Sequence, residues 1–198
     1  MTLPQHAFHD LGAAALAGRV VARLGLPLFV KPRAGGSALG VGFVETAERL
    51  PSALVSALGH HPDVLIERYV GGTEVAVAVA ELDDAPVALP PVEIETRGLY
   101  DYTARYTAGA VAFHTPARLP APHADEARRA AVRAHRALGL RHLSRTDAIV
   151  TADGEVYVLE TNPAPGMTAT SSFPAALEAT GHDLGRFFAA LAARAGGV

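Results

Sequence analysis

An α+β fold is the class this sequence predicts, and three features carry that reading. Several apolar runs alternate with period two and are separated by turn residues, as antiparallel strands are. The run "HADEARRAAVRAHRALGL" repeats its small apolar residues every three to four positions, which is the spacing of a helix face. Hairpins and helices are mixed along the chain, without the regular strand–helix alternation of a doubly wound sheet.

Taken in order, "GAAALAGRVVARLG" predicts a helix with Leu16, Val20, Val21 and Leu24 on one side and Gly25 as its stop. "LPLFVKP" predicts a buried strand, and "GVGFVE" a second strand after the loop "RAGGSAL". "AERLPSALVSALG" predicts a short amphipathic helix, with Pro51 suited to a first turn. "DVLIERYV" and "TEVAVAVAEL" read as strands, the second with one buried face, and "APVALPPVEIE" continues the sheet past a turn at Asp83-Asp84.

The stretch "GLYDYTARYTAGAVAFHTPARLP" shows no period and is long for a plain connection, which predicts a functional loop. In the helix that follows, Ala127, Ala131, Ala134 and Leu138 face one way and Gly139 ends it. "RTDAIVTADGEVYVLETN" predicts a hairpin, and "FPAALEAT" and "LGRFFAALAARA" closing helices. The chain divides into a smaller lobe, residues 1–70, with the Gly-rich loop, and a larger lobe, residues 71–198, with the hairpin and closing helices.

The composition excludes several functions. With 49% hydrophobic and 19% charged residues, the 198-residue chain has the makeup of a folded domain. A net charge of −3 gives no general reason to bind nucleic acid or an anionic membrane. Cysteine is absent, so disulfides and thiolate metal sites are excluded. "MTLPQHAFHD" lacks the basic start and apolar core of a secretory signal, and no run reaches a spanning length, which predicts a cytoplasmic protein. The histidines show no metal-ligand spacing.

The chemistry concentrates in the hairpin. Asp153-Gly154 is a favoured two-residue turn and sets residue 152 opposite 155. Asp147 then stands across from Glu160 and Arg145 across from Asn162, all on one face. Directly opposed β-carbons lie roughly 5 Å apart, where two like charges destabilise the pair. A cation between the carboxylates removes the conflict, and the oxygen set of Asp147, Glu160 and Asn162 suits magnesium. Arg145 would then face a phosphoryl oxygen or an oxyanion. A solvent-facing hairpin with Arg145 paired to Asp147 stays open on the residues alone.

Two further stretches point to a nucleotide. In "FVKPRAGGSALGVGFVE", Lys31 ends a strand, and Gly35, Gly36 and Gly40 let the backbone loop and present its N–H groups. A strand follows, so this is a flap and not a Walker or Rossmann loop. In "VLIERYVGGTE", Glu67, a short crossing segment and Glu74 offer a slot for a base and a carboxylate for a ribose. A ligand-free glycine hairpin and ordinary surface acids are the alternatives.

Together, "LFVKPRAGGSALGV", "VLIERYVGGTEVAVAV", "LYDYTARYTAG" and "RTDAIVTADGEVYVLETNPAPGMTATSSFP" resemble the ATP-grasp fold and, within it, the D-alanine–D-alanine ligases. The resemblance implies two antiparallel sheet-and-helix lobes clasping ATP, with Mg2+ (or Mn2+) on its phosphates. It also implies ligation of two D-alanines through an acyl phosphate for peptidoglycan precursors. Lys31 would contact phosphate and adenine under a loop formed by Gly36 and Ser37. Glu67, Arg68 and the Val70 backbone would hold the adenine, and Glu74 the ribose. Asp147, Glu160 and Asn162 would hold the metal. Arg145 and the Gly166 backbone would stabilise the oxyanion, with Ser171 on the second D-alanine's carboxylate. Ser37, Arg105 and Tyr106 would complete the catalytic set from the covering loops.

The sequence departs from the family at three places. It opens inside the ATP-binding part, without the family's amino-terminal domain, which would come from a separate chain or leave a nucleotide-binding module without turnover of its own. Arg105 replaces a lysine of the closing loop, and Ala38 replaces a second loop serine. A related ligase for other amino acids and a homodimer are both left open.

Overall fold

The computed structural model describes residues 1–81, 85–96, 98, 107, 109–168 and 170–195. The chain forms two compact units: Met1–Tyr69 with Thr96–Val111, and Val70–Glu95 with Ala112–Val198.

The first unit is built on a four-stranded antiparallel sheet in the order β1-β4-β2-β3, with β1 Thr2–Pro4, β2 Leu28–Pro32, β3 Gly42–Val44 and β4 Asp63–Arg68. Helices α1 Gln5–Leu11, α2 Ala13–Leu24 and α3 Leu50–Leu58 accompany it. Helix α2 ends as its sequence predicts: Gly25 takes a φ of +75° and its N–H reaches Val21 O at 2.9 Å. Leu16 and Val20 of α2 and Leu50, Leu54 and Ala57 of α3 pack with Leu28, Val30, Val44, Val64 and Ile66 into one buried cluster. Each such large side chain is worth roughly 1.5–3 kcal/mol of burial. Strand alternation therefore turns Phe29, Lys31, Phe43 and Glu67 to the other face of the sheet.

The second unit holds a sheet in the order β10-β9-β5-β7-β8, with a short β6 pairing β5. The strands are β5 Thr73–Glu81, β6 Pro86–Ala88, β7 Val92–Thr96, β8 Val111–His114, β9 Leu143–Val150 and β10 Val156–Asn162. Helix α4, Ala121–Ala137, covers one face, where Ala127 and Ala131 meet Val75, Val77, Val79, Ala148 and Val150. Helices α5, Ser172–Glu178, and α6, Leu184–Ala195, meet the other face, where Phe173, Ala176, Leu177 and Phe187 pack on Ala78, Ala80 and Val92.

Four expectations are corrected here. Strand β5 is buried on both faces, not one, because its valines go to α4 and Ala78 and Ala80 go to α5 and α6. Helix α4 stops at Ala137, so Leu138 is 60% exposed and His135, one turn beyond Ala131, takes the buried place. Strand β8 lies inside the stretch read as a functional loop. The hairpin turn is one residue longer than a two-residue loop: Thr151 N–H donates to Glu155 O, and Val156 pairs Val150. Gly154, at φ +88°, closes this longer turn. The turn expected at Asp83-Asp84 lies outside the described residues.

A bulge between Val158 and Glu160 then shifts the β9–β10 ladder by one residue. The two offsets cancel. Asp147 pairs Glu160 and Arg145 pairs Asn162, the register set by the sequence.

Candidate functional site

In the first unit, the sheet face opposite the core gathers charge and aromatic surface. Lys31 Nζ lies 2.6 Å from Glu67 Oε2, bridging neighbouring strands. Phe29 stands opposite both Glu67 and Phe43 across its two ladders. Its ring centroid is 5.2 Å from that of Phe43 and 6.1 Å from that of Tyr69, and Phe43 and Tyr69 are 5.5 Å apart. A cation, a carboxylate and three rings on one face make a surface suited to a flat, polar-edged ligand. The rings are candidate residues that the sequence reading passed over, although alternation in "LFVKP" already puts Phe29 on the side of Lys31.

The Gly-rich loop follows directly. Ser37 and Ala38 hold successive left-handed conformations, φ 56° and 57°, which cost non-glycine residues roughly 1–2 kcal/mol each. Leu39 N–H to Gly36 O and Val41 N–H to Ala38 O brace the turns. A side chain at Gly40 would be strained, since its φ is +75° and a β-carbon there would meet the His60 ring at 2.5 Å. Arg68, exposed, ends β4, and the half-buried Val70 opens the second unit.

In the second unit, register collects five expected residues on one sheet face. Glu74 pairs Ile149, so it shares the face of Asp147 and Arg145, which in turn pair Glu160 and Asn162. Ala76 and Ala78 stand beside Asp147 and Arg145 and keep bulk off them. Arg145 donates from Nε and Nη2 to the two carboxylate oxygens of Asp147 at 2.7 and 2.8 Å. Asp147 is buried and Glu160 exposed, and Asn162 Oδ1 accepts from Ala164 N–H at 2.9 Å. Behind this face Thr146 and Thr161 share a hydrogen bond of 3.0 Å.

Past the hairpin, Gly166 and Ser171 come together: a β-carbon on Gly166 would lie 2.9 Å from Ser171 Oγ. That hydroxyl accepts from Thr168 N–H at 3.2 Å and lies 2.9 Å from Thr168 Oγ1. Tyr100, Tyr102, Arg105 and Tyr106 lie outside the described residues.

A family model described as D-ala D-ala ligase C-terminus matches residues 2–192. The chain belongs to that family. The D-alanine–D-alanine ligase of Anaeromyxobacter dehalogenans strain 2CP-C is 43% identical over 186 residues, covering 87% of this chain and 59% of that protein. This member of the ligase family thus spans less than two thirds of the length of such relatives. The solved D-alanyl-alanine synthetase A of Vibrio cholerae superposes with a TM-score of 0.81 at 30% identity, over 96% of this chain and 57% of its own. The Bacillus anthracis D-alanine–D-alanine ligase, solved in complex with ATP, superposes with a TM-score of 0.71 at 27% identity, over 92% of this chain and 54% of its own. The α+β, ATP-grasp fold expected from the sequence is therefore the fold of the chain.

The hairpin residues of this ligase-family chain fit a hard divalent cation. Among the described residues no three His, Cys, Asp or Glu side chains gather into a metal-holding set. The donors are two carboxylates and an amide oxygen, which leaves positions for substrate oxygens and water, as magnesium prefers. A carboxylate offers about four lone-pair sites, so Asp147 can hold Arg145 and still ligate. The pairing left open by the sequence and the metal site are compatible. Among the described residues no helix is long and apolar enough to cross a membrane.

Proposed function

We propose that this chain is the ATP- and Mg2+-binding part of a carboxylate–amine ligase that joins two D-alanines for peptidoglycan precursor synthesis in the cytoplasm. The observation that carries the reading is the single sheet face holding Glu74, Arg145, Asp147, Glu160 and Asn162. Lys31, with three donors, keeps Glu67 and also reaches a phosphate. Ser37, Gly36 and the loop backbone cover the phosphates, while Phe29, Glu67, Arg68 and the Val70 backbone take the base and Glu74 the ribose. Asp147, Glu160 and Asn162 would hold the metal, which when bound would supply positive charge to neutralise the transferring phosphoryl group.

The first D-alanine's carboxylate oxygen attacks the γ-phosphorus, giving an acyl phosphate and ADP. The second D-alanine's amine attacks the acyl carbon, and phosphate leaves from the tetrahedral adduct. Arg145 and the Gly166 N–H meet the oxyanion, and Ser171 meets the second substrate's carboxylate. Arg105 and Tyr106 would help shield the acyl phosphate from water.

A second reading is favoured by the chain's share of its relatives' length: a nucleotide-binding module that needs a further segment or a separate chain for the first D-alanine. One assay separates the two. Phosphate and D-alanyl-D-alanine released from ATP, Mg2+ and D-alanine support ligation by this chain. ATP binding without dipeptide supports the module, and no ATP binding refutes both.

A further inference from the structure

The strand that carries Arg145 and Asp147 is fastened from behind. Its alternate residues Ser144 and Thr146 are buried on the face covered by α4. There His135 of α4, 1% exposed, places Nδ1 2.9 Å from Ser144 Oγ, one residue before Arg145. Ser144 pairs Val79, and both Ser144 and His135 are buried, so a polar pair here is costly unless its hydrogen bond is kept. Nε2 has no hydrogen-bond partner and stops 3.9 Å short of Glu81 Oε1.

We propose that His135 is a positioning residue for the metal–nucleotide site: neutral, it fixes Ser144 and so the strand bearing Arg145 and Asp147; protonated, it lets that strand loosen. The inference rests on the reading of Asp147 and its partners given above. The tautomer with its proton on Nε2, toward Glu81, leaves Nδ1 to accept from the Ser144 hydroxyl. An added proton turns Nδ1 into a donor, so the Ser144 hydroxyl must turn, and its own proton loses its acceptor in a buried place.

Burial holds the His135 imidazole below its ordinary protonation range; Glu81 opposes this and Arg136 adds to it. His142 Nδ1 lies 3.4 Å from the other Glu81 oxygen, and Arg194 donates to the Glu81 backbone carbonyl. Among the described residues, charge on the ring is met by the Glu81 carboxylate, which His142 shares. Neutral imidazole is the state that fits.

The test is the dissociation constant of Mg–ATP between pH 8 and 5 for wild type, His135→Asn and Ser144→Ala, beside Glu160→Gln. Asn keeps an acceptor for Ser144 but does not titrate in this range. The nucleotide and the metal-site side chains are the same in wild type and His135→Asn, so the difference between the two isolates the imidazole. It is expected to show a one-proton weakening on acidification, at most about tenfold per pH unit. Ser144→Ala should weaken binding roughly threefold to tenfold at pH 8, the scale of one hydrogen bond. Imidazole NMR on wild type gives a check that needs no variant: Mg–ATP should push the His135 titration further down, by reciprocal linkage. A flat difference profile, or a His135 titration indifferent to Mg–ATP, overturns the inference. If Glu160→Gln leaves the Mg2+ requirement unchanged, it is the underlying site reading that fails.

Discussion

Gly72→Ala is a sharp test of how the second unit is assembled. Gly72 sits just before β5, where Thr73 pairs Val150, and a β-carbon there would lie 2.4 Å from Val150 O and 2.9 Å from Val150 C. Ordinary contact begins near 3.4 Å, so about 1 Å of separation must be found between two backbones of one ladder. Side-chain rotation cannot relieve it. Overpacking of this kind costs typically 1–3 kcal/mol, and a backbone neighbour puts the change near the upper end, about 2–3 kcal/mol. For a chain of this size the melting temperature should fall by roughly 4–12 °C. Gly18→Ala supplies the opposite sign: nothing lies within 4 Å of its added carbon, and the residue is inside α2. There alanine should stabilise by about 0.5–1 kcal/mol through helix propensity. Differential scanning calorimetry on both variants decides the matter. A Gly72→Ala protein melting with wild type would refute the β5–β9 register from which the Glu74 and Asp147 placements follow.

Two other outcomes are expected. Hydrogen bonds from Arg118 hold the Glu93 carboxyl below its ordinary range, against the opposing effect of burial. Stability from this pair is thus full above the unfolded carboxylate's pKa and lost as pH falls through the lowered folded one; Glu93→Gln should lose less urea stability than wild type between pH 7 and pH 3. Deleting Leu159 removes the bulge residue while leaving Val158 opposite Ala148 and Glu160 opposite Asp147, so the Mg2+ requirement for ATP binding should change less than about threefold; a larger loss would mean that the bulge itself shapes the site.

Much of this was legible in the sequence, for reasons particular residues make plain. Val20 and Leu24 before Gly25 delimit α2, and the sequence sets Asp147 opposite Glu160 although the Asp153-Gly154 turn is one residue longer than expected and the bulge has no sequence signal. Those offsets were invisible because a glycine can close either turn length and no local residue type specifies a bulge. Strand β5 alternates valine with alanine, and alternation of two apolar types looks the same whether one or both faces are covered. Helix α4 offered Leu138 as an obvious core residue, but the helix ends one residue earlier and His135 takes the place. The Phe29–Phe43–Tyr69 group joins residues distant along the chain, and it appears only once β2 is paired to β3 and β4.

The central claim is that Asp147, Glu160 and Asn162 form a cation site serving a bound nucleotide. Its most direct measurement is ATP affinity titrated with Mg2+ for wild type, Asp147→Asn and Glu160→Gln, each shown folded by circular dichroism. Loss of one ligand should raise the Mg2+ needed by at least about tenfold, the scale that even outer-shell partners of a metal command. Folded variants that bind ATP with the wild-type Mg2+ requirement would contradict it.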